Sequence, residues 1–247
     1  MKALILAAGY GTRLYPLTQN TPKPLLPIKN KPLIDYLLDK IENVRDLSQI
    51  MVVTNSKFCP HFREWAGNHK KFHDKILIID DGTKSNEDRL GSMGDIDFVL
   101  KNAPVKEDLL ILGGDNLFDQ NLEAFLDLAS KKKPRVTVGV FDIKDKNEAK
   151  LFGVLGLDQN KKITSFEEKP AEPKSSLIGM CLYFLPKESL GRVADYIHAS
   201  DKKDTSGDYI KWLSQKEEVY AFTFQGTWYD IGSLESYHDA QKNFSPK

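Results

Sequence analysis

Residues 2–8 (KALILAA) form a compact apolar run that stops at a glycine-rich turn, Gly9-Tyr10-Gly11. A short run without polar alternation is the pattern of a strand buried on both faces, and such strands belong to sheets covered by helices on each side. The first strand is expected to end near Ala8. Residues 32–44 (PLIDYLLDKIENV) then place Leu33, Ile34, Leu37, Leu38, Ile41 and Val44 on one helical stripe, with Pro32 at the permitted first turn. Further apolar runs at 50–54, 75–79 and 109–112 are separated by helical patterns. That alternation predicts an α/β fold of three layers around a mixed, mostly parallel sheet flanked by helices. After about residue 135 the rhythm changes. Strands are expected at 135–141, 153–157, 162–166 and 178–184 with short links, a smaller antiparallel addition in the second half. Helices follow at 186–198 and 206–215, then a strand at 219–224 and a last helix at 233–243.

Composition limits what this fold can serve. Thirty-five Lys and Arg balance thirty-five Asp and Glu over 247 residues, so no broad positive field exists to gather nucleic acid or an anionic membrane. Neither is expected as a partner. No apolar run reaches a membrane span, and the first residues are too short for a signal-peptide core, so the chain reads as soluble and cytoplasmic. Two distant cysteines, Cys59 and Cys181, lack a CxxC partner and fit a reducing compartment as buried filler. No linker or repeat divides the chain, which predicts a single domain over 1–247, with halves of about 1–120 and 121–247. Electrical neutrality means that any anionic ligand must be met by a local cluster of cations.

Those cations have a candidate. In LAAGYGTRL, Leu6 to Leu14, Gly9 and Gly11 would let backbone N–H groups approach phosphate oxygens, although the same glycines also suit a plain tight turn. A dinucleotide fingerprint would need glycine at Leu14, and no GxxxxGK[ST] sequence is present. Pro16, Pro22, Pro24 and Pro27 stiffen the following stretch, so that Arg13 and Lys23 could address one polyphosphate as a guanidinium fork and an ammonium. Farther on, LLILGGDNLF puts Asp115 at the carboxyl end of a buried strand, the edge where open α/β sheets bind ligands.

LAAGYGTRLYPLT with TPKPLLPI resembles the signature of the NTP-dependent sugar-1-phosphate nucleotidylyltransferases, the nucleotide-sugar pyrophosphorylases, in particular glucose-1-phosphate thymidylyl- and uridylyltransferases. The resemblance extends to the last expected helix. It implies a Rossmann-like, GT-A-like fold, with Leu6, Ala8, Gly9, Gly11, Thr12, Arg13 and Lys23 around the triphosphate. It also implies Mg²⁺ on Asp115 of GDN and on Asp230 of Trp228-Tyr229-Asp230-Ile231-Gly232-Ser233, where Ser233 stands in place of the commoner Thr. Phe152-Gly153-Val154 and Phe166-Glu167-Glu168-Lys169-Pro170 are similar to the motifs lining the sugar-phosphate side. Asn116, Gly153, Glu168, Lys169, Cys181 and Gly232 are the residues implied there, Glu168 as acceptor of a sugar hydroxyl and Lys169 as the cation on the sugar phosphate. Arg13, Lys23, Asp115, Lys169 and Asp230 form the implied catalytic set.

The chain departs from the pattern twice. Cys181 stands where relatives commonly have glycine. The stretch Leu90-Gly91-Ser92-Met93-Gly94 resembles the loop over the base, but an acidic insert precedes it and no glutamine lies between Gln49 and Gln120. Asp81, Gly91 and Gly94 are implied NTP contacts, while the base itself is open: Asn86 could pair with uracil, and Asp81 or Asp88 could accept from an amino group. The expected reaction forms an NDP-sugar, a precursor of cell-surface polysaccharide or glycoconjugate, by in-line displacement. A CTP-dependent phosphocholine cytidylyltransferase and a silent nucleotide-sugar sensor are the alternatives, and a homo-oligomer is open. Since the chain ends just after this region, no β-helix or acyltransferase extension is expected. His69 and His73, at helical spacing, are read as a wet surface helix, and 131–133 as a solvated helix end.

Overall fold

Along the first strand Ala3 and Ile5 point to one face and Leu4 to the other, and each face acquires its own helical layer. The structure, a computed structural model, describes residues 1–201 and 204–245. Its strands are β1 (Lys2–Leu6), β2 (Pro27–Ile28), β3 (Lys31–Pro32), β4 (Gln49–Thr54), β5 (Ile76–Asp80), β6 (Leu109–Gly113), β7 (Asn116–Phe118), β8 (Thr137–Asp142), β9 (Gly153–Leu157), β10 (Ile163–Glu168), β11 (Leu177–Leu185), β12 (Tyr220–Phe224) and β13 (Trp228–Asp230). Its helices are α1 (Leu33–Glu42), α2 (Cys59–Asn68), α3 (Gly91–Asn102), α4 (Glu123–Lys132), α5 (Lys146–Ala149), α6 (Gly191–Ala199), α7 (Ser206–Ser214) and α8 (Leu234–Asn243).

Nine strands make the main sheet, with the path β10-β9-β11-β6-β1-β4-β5 and β8 and β12 attached through β11. The strands β6, β1, β4 and β5 are mutually parallel, and β8 to β11 join them by antiparallel pairing. The expected antiparallel addition is thus a continuation of the same sheet. The expected α/β class holds. Helices α1, α2 and α4 cover one face through Ile34, Leu37, Phe62 and Phe125. The other face is covered by α3, α6 and α7 through Met93, Ile96, Val193, Tyr196 and Ile210. Each such aliphatic side chain fully buried stabilises the fold by about 1.5–3 kcal/mol.

A third cluster sits off the sheet. Leu14, Leu26, Ile28, Leu33, Tyr36, Leu117, Ile231, Tyr237 and Phe244 bring together the proline-rich stretch, α1, the β7–β13 ribbon and α8. Tyr237 and Tyr36 donate hydrogen bonds to the carbonyls of Pro27 and Ile28, both at 2.9 Å. Helix α8 starts at a capping box in which Ser233 and Ser236 satisfy each other's backbone. The stiffness expected from the prolines is therefore reinforced by packing.

Some boundaries moved. β1 ends at Leu6, although the Leu6 carbonyl still accepts from Gly114 N and Ala7 N still donates to the Val53 carbonyl, both at 2.9 Å. The helix expected from 186 starts at Gly191, since Pro186 opens a separate one-turn 3₁₀ segment, Lys187–Ser189. Helix α2 stops at Asn68, so His69 and His73 do not share a helix. His69 instead takes the Phe72 N–H on Nδ1 at 3.2 Å, a turn contact. Cys59 is buried, as the filler reading expects.

Candidate active site

Strand β1 lies between β4 and β6, with Leu6 in register with Gly113. The chain first steps outward from β1 to β4 and β5, then returns to the far side of β1 as β6, so a crevice opens at the carboxyl ends of β1 and β6. Both the glycine loop and Gly114-Asp115 leave from that edge. Gly114 passes so close to the Leu6 carbonyl that a Cβ would stand 2.7 Å from its oxygen. In the glycine loop, Gly11 has φ 62°, and its carbonyl accepts from Thr18 Oγ1 at 2.6 Å. Gly9 has no heavy atom within 4 Å of where a Cβ would be. Gly11 thus serves the turn, while Gly9 faces open space that a ligand could fill. Asn55 Nδ2 holds the loop by donating to the Ala8 carbonyl at 2.9 Å. Thr12 and Arg13 follow, exposed, in a single 3₁₀ turn.

Lys23 lies 92 residues before Asp115, yet its Nζ meets Asp115 Oδ2 at 2.7 Å. The third cluster holds the proline stretch in the position that allows this. Asp230 reaches the same place by strand pairing: β13 runs antiparallel to β7 with Asp230 opposite Asn116, and Ile231 N donates to the Asp115 carbonyl at 3.0 Å. The Asp115 and Asp230 carboxyls lie within hydrogen-bond reach of each other. Burial, then the neighbouring Asp115, pushes Asp230 up to about 7 against the pull of Lys23 and Arg13. For Asp115 burial acts in the same upward direction, but the ion pair with Lys23 outweighs it and keeps this carboxyl below its usual range. Two acids at one point, one inclined to keep a proton, form a donor set that a divalent cation can complete by replacing that proton. No third His, Cys, Asp or Glu joins them among the described residues. That suits Mg²⁺, which takes one or two carboxylates and fills its octahedron with phosphate oxygens and water. Gly232 leaves room beside them, since its missing Cβ would stand 3.4 Å from Asp230 Oδ2 and 3.5 Å from Arg13 Nη2.

A second group of the implied residues is built on β9, β10 and the start of α7. Glu168 pairs in register with Gly153, and its carboxylate occupies space left by Gly153 and Gly207 together. Phe166 closes both glycines from the other side. Burial raises the Glu168 carboxyl while the neighbouring Lys169 lowers it. Lys169 is exposed at φ 45°, its N–H donating to the Phe152 carbonyl at 3.0 Å, so the Phe152-Gly153-Val154 and Phe166–Pro170 stretches are tied together. The Phe152 ring packs on Trp228 at 5.4 Å between centroids. Trp228 Nε1 donates to Asn116 Oδ1 at 2.7 Å, which commits the buried Asn116 side chain to holding the β7–β13 ribbon. Cys181 sits at φ 53° where the β11 register shifts. Its thiol is 3.8 Å from Ser206 Oγ, and burial, then Asp115, pushes it up to about 12. The phenol of Tyr183 shares a 2.8 Å hydrogen bond with the same Ser206.

Of the other residues implied as NTP contacts, Asp81 follows β5, and Gly91, at φ 76°, begins α3. A Cβ on Gly94 would strike Leu90 at 2.8 Å, so this glycine serves helix packing. Asp88 is occupied within its own loop by the Lys84 and Ser85 amides, and the Asn86 carbonyl accepts from Arg89. Of the residues implied for the site, Arg13, Lys23, Asp115, Asp230 and Gly232 converge on one point, with Cys181 close to both carboxylates. Gly153, Glu168 and Lys169 form a second group. Ser206, Gly207 and Tyr183 border these groups, and Asp95 adjoins Asp81, without having been singled out from sequence. For the first two the available signal was the T-x-x-D start of a helix at Thr205, whose Oγ1 caps Asp208 N.

With this geometry in view, the comparisons define the class. The nucleotidyl transferase family model matches residues 2–246, and the chain belongs to that family. A curated relative, the bifunctional protein GlmU of Methanocaldococcus jannaschii, is 31% identical over 232 residues, which are 94% of this chain and 51% of that protein. The chain therefore spans about half the length of this relative. A crystal structure from Bacillus anthracis, provisionally described as a glucose-1-phosphate thymidylyltransferase in complex with sucrose, superposes with a TM-score of 0.81 at 24% identity, covering 100% of this chain and 98% of that one. At that identity the likeness speaks for the fold. No helix among the described residues is long and apolar enough to cross a membrane.

Proposed function

We propose that the protein transfers a nucleotidyl group from an NTP to a sugar 1-phosphate, releasing pyrophosphate and forming an NDP-sugar. The observation that carries this reading is the meeting of Lys23, Asp115 and Asp230 at the switch-point crevice, together with a second group in which the Glu168 carboxylate sits between Gly153 and Gly207. The Bacillus anthracis structure, described as that of a glucose-1-phosphate thymidylyltransferase, is in line with this class of acceptor. In the first half the open backbone at Gly9 receives the triphosphate, and Arg13 and Lys23 neutralise its charge. In the second half Glu168 accepts a sugar hydroxyl, and Lys169 holds the sugar phosphate as a point charge. The phosphate oxygen attacks the α-phosphorus in line, the bond to the β-phosphate oxygen breaks, and pyrophosphate leaves without a covalent enzyme intermediate. Orientation and fixed charge supply the acceleration. Asp115 and Asp230 would hold Mg²⁺, which when bound supplies neutralisation of the charge developing on the phosphates.

The test is a matrix of UTP, dTTP, CTP, ATP and GTP against glucose 1-phosphate, N-acetylglucosamine 1-phosphate and phosphocholine, with and without Mg²⁺, read by pyrophosphate release. Turnover with a sugar 1-phosphate only when Mg²⁺ is present is expected. Turnover confined to phosphocholine moves the acceptor outside the sugars, and binding without turnover throughout makes the protein a sensor.

A further inference from the structure

Two carboxyl groups outside the reaction centre are each 6% exposed, Asp81 at the end of β5 and Asp95 in the second turn of α3. Asp81 Oδ2 and Asp95 Oδ1 touch neither solvent nor any hydrogen-bond donor. The two carboxyls are within hydrogen-bond reach of one another. As two bare anions they would repel in a place without water, whereas one proton between them satisfies both oxygens.

Their surroundings show what such a bond would join. Asp81 Oδ1 accepts from Thr83 N and Thr83 Oγ1, both at 2.7 Å, and Tyr10 of the glycine loop donates its phenol to Thr83 Oγ1 at 3.3 Å. Ser56 N, after β4, donates to the Thr83 carbonyl at 2.9 Å. A continuous chain of contacts therefore runs from the glycine loop through Thr83 and Asp81 to Asp95 on α3. The ionisable neighbours are acidic or phenolic. Asp80 on β5 is occupied by Gly82 N and Ser56 Oγ, Asp88 by its own loop, and Tyr10 is the third. Against α3, helices α6 and α7 present apolar and aromatic side chains such as Val193, Tyr196 and Ile210, and β1 presents Leu4. Neither carboxylate takes part in an ion pair among the described residues.

We propose that Asp81 and Asp95 share a single proton, and that this bond fastens residues 82–90 and the start of α3 against the glycine loop, making both aspartates positioning residues for the nucleoside of the NTP. The inference rests on the proposed function for the location of the nucleoside. Burial, then Asp81, pushes Asp95 up to about 8. Below that pH the fastening is closed. Above it the shared proton is lost, the carboxylates repel, and the loop separates from α3, so that affinity for the NTP falls while the chemical step is untouched.

The experiment compares the native protein with Asp95→Asn and Asp95→Ala between pH 6 and 9.5. Hydrogen–deuterium exchange of residues 82–95 without nucleotide, corrected for intrinsic rate and referred to β6, reads the fastening itself. KM and kcat for the NTP that turns over in the matrix, or Kd for Mg·dTTP if none does, read its use. In the native protein protection is expected to fall about tenfold from pH 7 to 9 while KM rises by a similar factor and kcat stays within about twofold. The side-chain amide introduced by Asp95→Asn donates to Asp81 without titrating, so that variant should stay protected with a flat KM. Asp95→Ala should be unprotected, with a high KM, at every pH. Native protection that does not change with pH, or an unchanged slope in Asp95→Asn, overturns the shared proton. A loop that loosens as expected while KM or Kd holds still overturns the positioning role. A pH-dependent loop in a protein without turnover leaves the proton pair standing and defeats the proposed function alone.

Discussion

Cys181 adopts φ 53° within a strand, a conformation that costs an L-residue roughly 1–2 kcal/mol and suits glycine better. The backbone accepts this where β11 shifts register, and the thiol is thereby turned toward Ser206 and the Asp115–Asp230 pair. Cys181→Gly should leave stability within about 1 kcal/mol, because relief of strain offsets the lost contact. Cys181→Val, β-branched at positive φ, should lose about 2 kcal/mol or more by urea denaturation. Asp115→Asn should reduce pyrophosphate release by about a hundredfold or more with an unchanged circular dichroism spectrum, and full activity in that variant would sink the proposed metal role. The same substitution should also abolish any rise in Tm that Mg²⁺ gives the nucleotide-free protein. At this scale Lys23, Asp115 and Asp230 could each be picked out by the sequence around them. The ion pair between the first two could not, because it spans 92 residues and depends on packing by α8. Asp95 gave no signal at all: a charged residue in an amphipathic helix looks solvated until its facing neighbour is known.

The start of α7 is the element that most separates the structure from the sequence reading. A helix over 206–215 was legible, but α7 packs on β10 only in three dimensions, and only then does Gly207 meet the Glu168 carboxylate and Ser206 the Tyr183 phenol. A Cβ at Gly207 would collide with the Glu168 carboxylate and the Phe166 ring. Gly207→Ala should therefore raise KM for the sugar 1-phosphate about tenfold while KM for the NTP changes little. Equal effects on both KM values would show that the two groups of residues do not serve separate substrates. The strand order was legible for a different reason: runs such as LLIL and IMVVT are buried on both faces, which only a helix-covered sheet provides. Helix and strand ends were less so, as they depended on local turns such as the 3₁₀ segment Lys187–Ser189 that delays α6 to Gly191.

For the whole molecule, buried acids set the pH response. Asp95, raised to about 8, contributes stability that is complete below the unfolded carboxyl value of about 4 and is lost as pH rises through about 8. Asp35, raised by burial, acts with the same sign. Asp115, lowered by Lys23, acts in the opposite direction, its contribution being lost only as pH falls below the carboxylate range. The metal-free protein should consequently melt a few degrees higher at pH 5.5 than at pH 8.5 by calorimetry, and Asp95→Asn should flatten much of that difference. A Tm that rises with pH over the same interval would contradict the buried-acid account.

The clasp between Tyr237 and the Pro27 carbonyl joins residues 210 positions apart. Loop 12–28 is translated early, but the segment that fixes Lys23 against Asp115 and brings Asp230 beside it is made some two hundred residues later. A nascent chain therefore has β1, β4, β5 and β6 in hand well before it has the residues for a charge-balanced centre. Whatever part of the sheet has folded by then, the crevice stays unfinished until the β13 ribbon and α8 have been made.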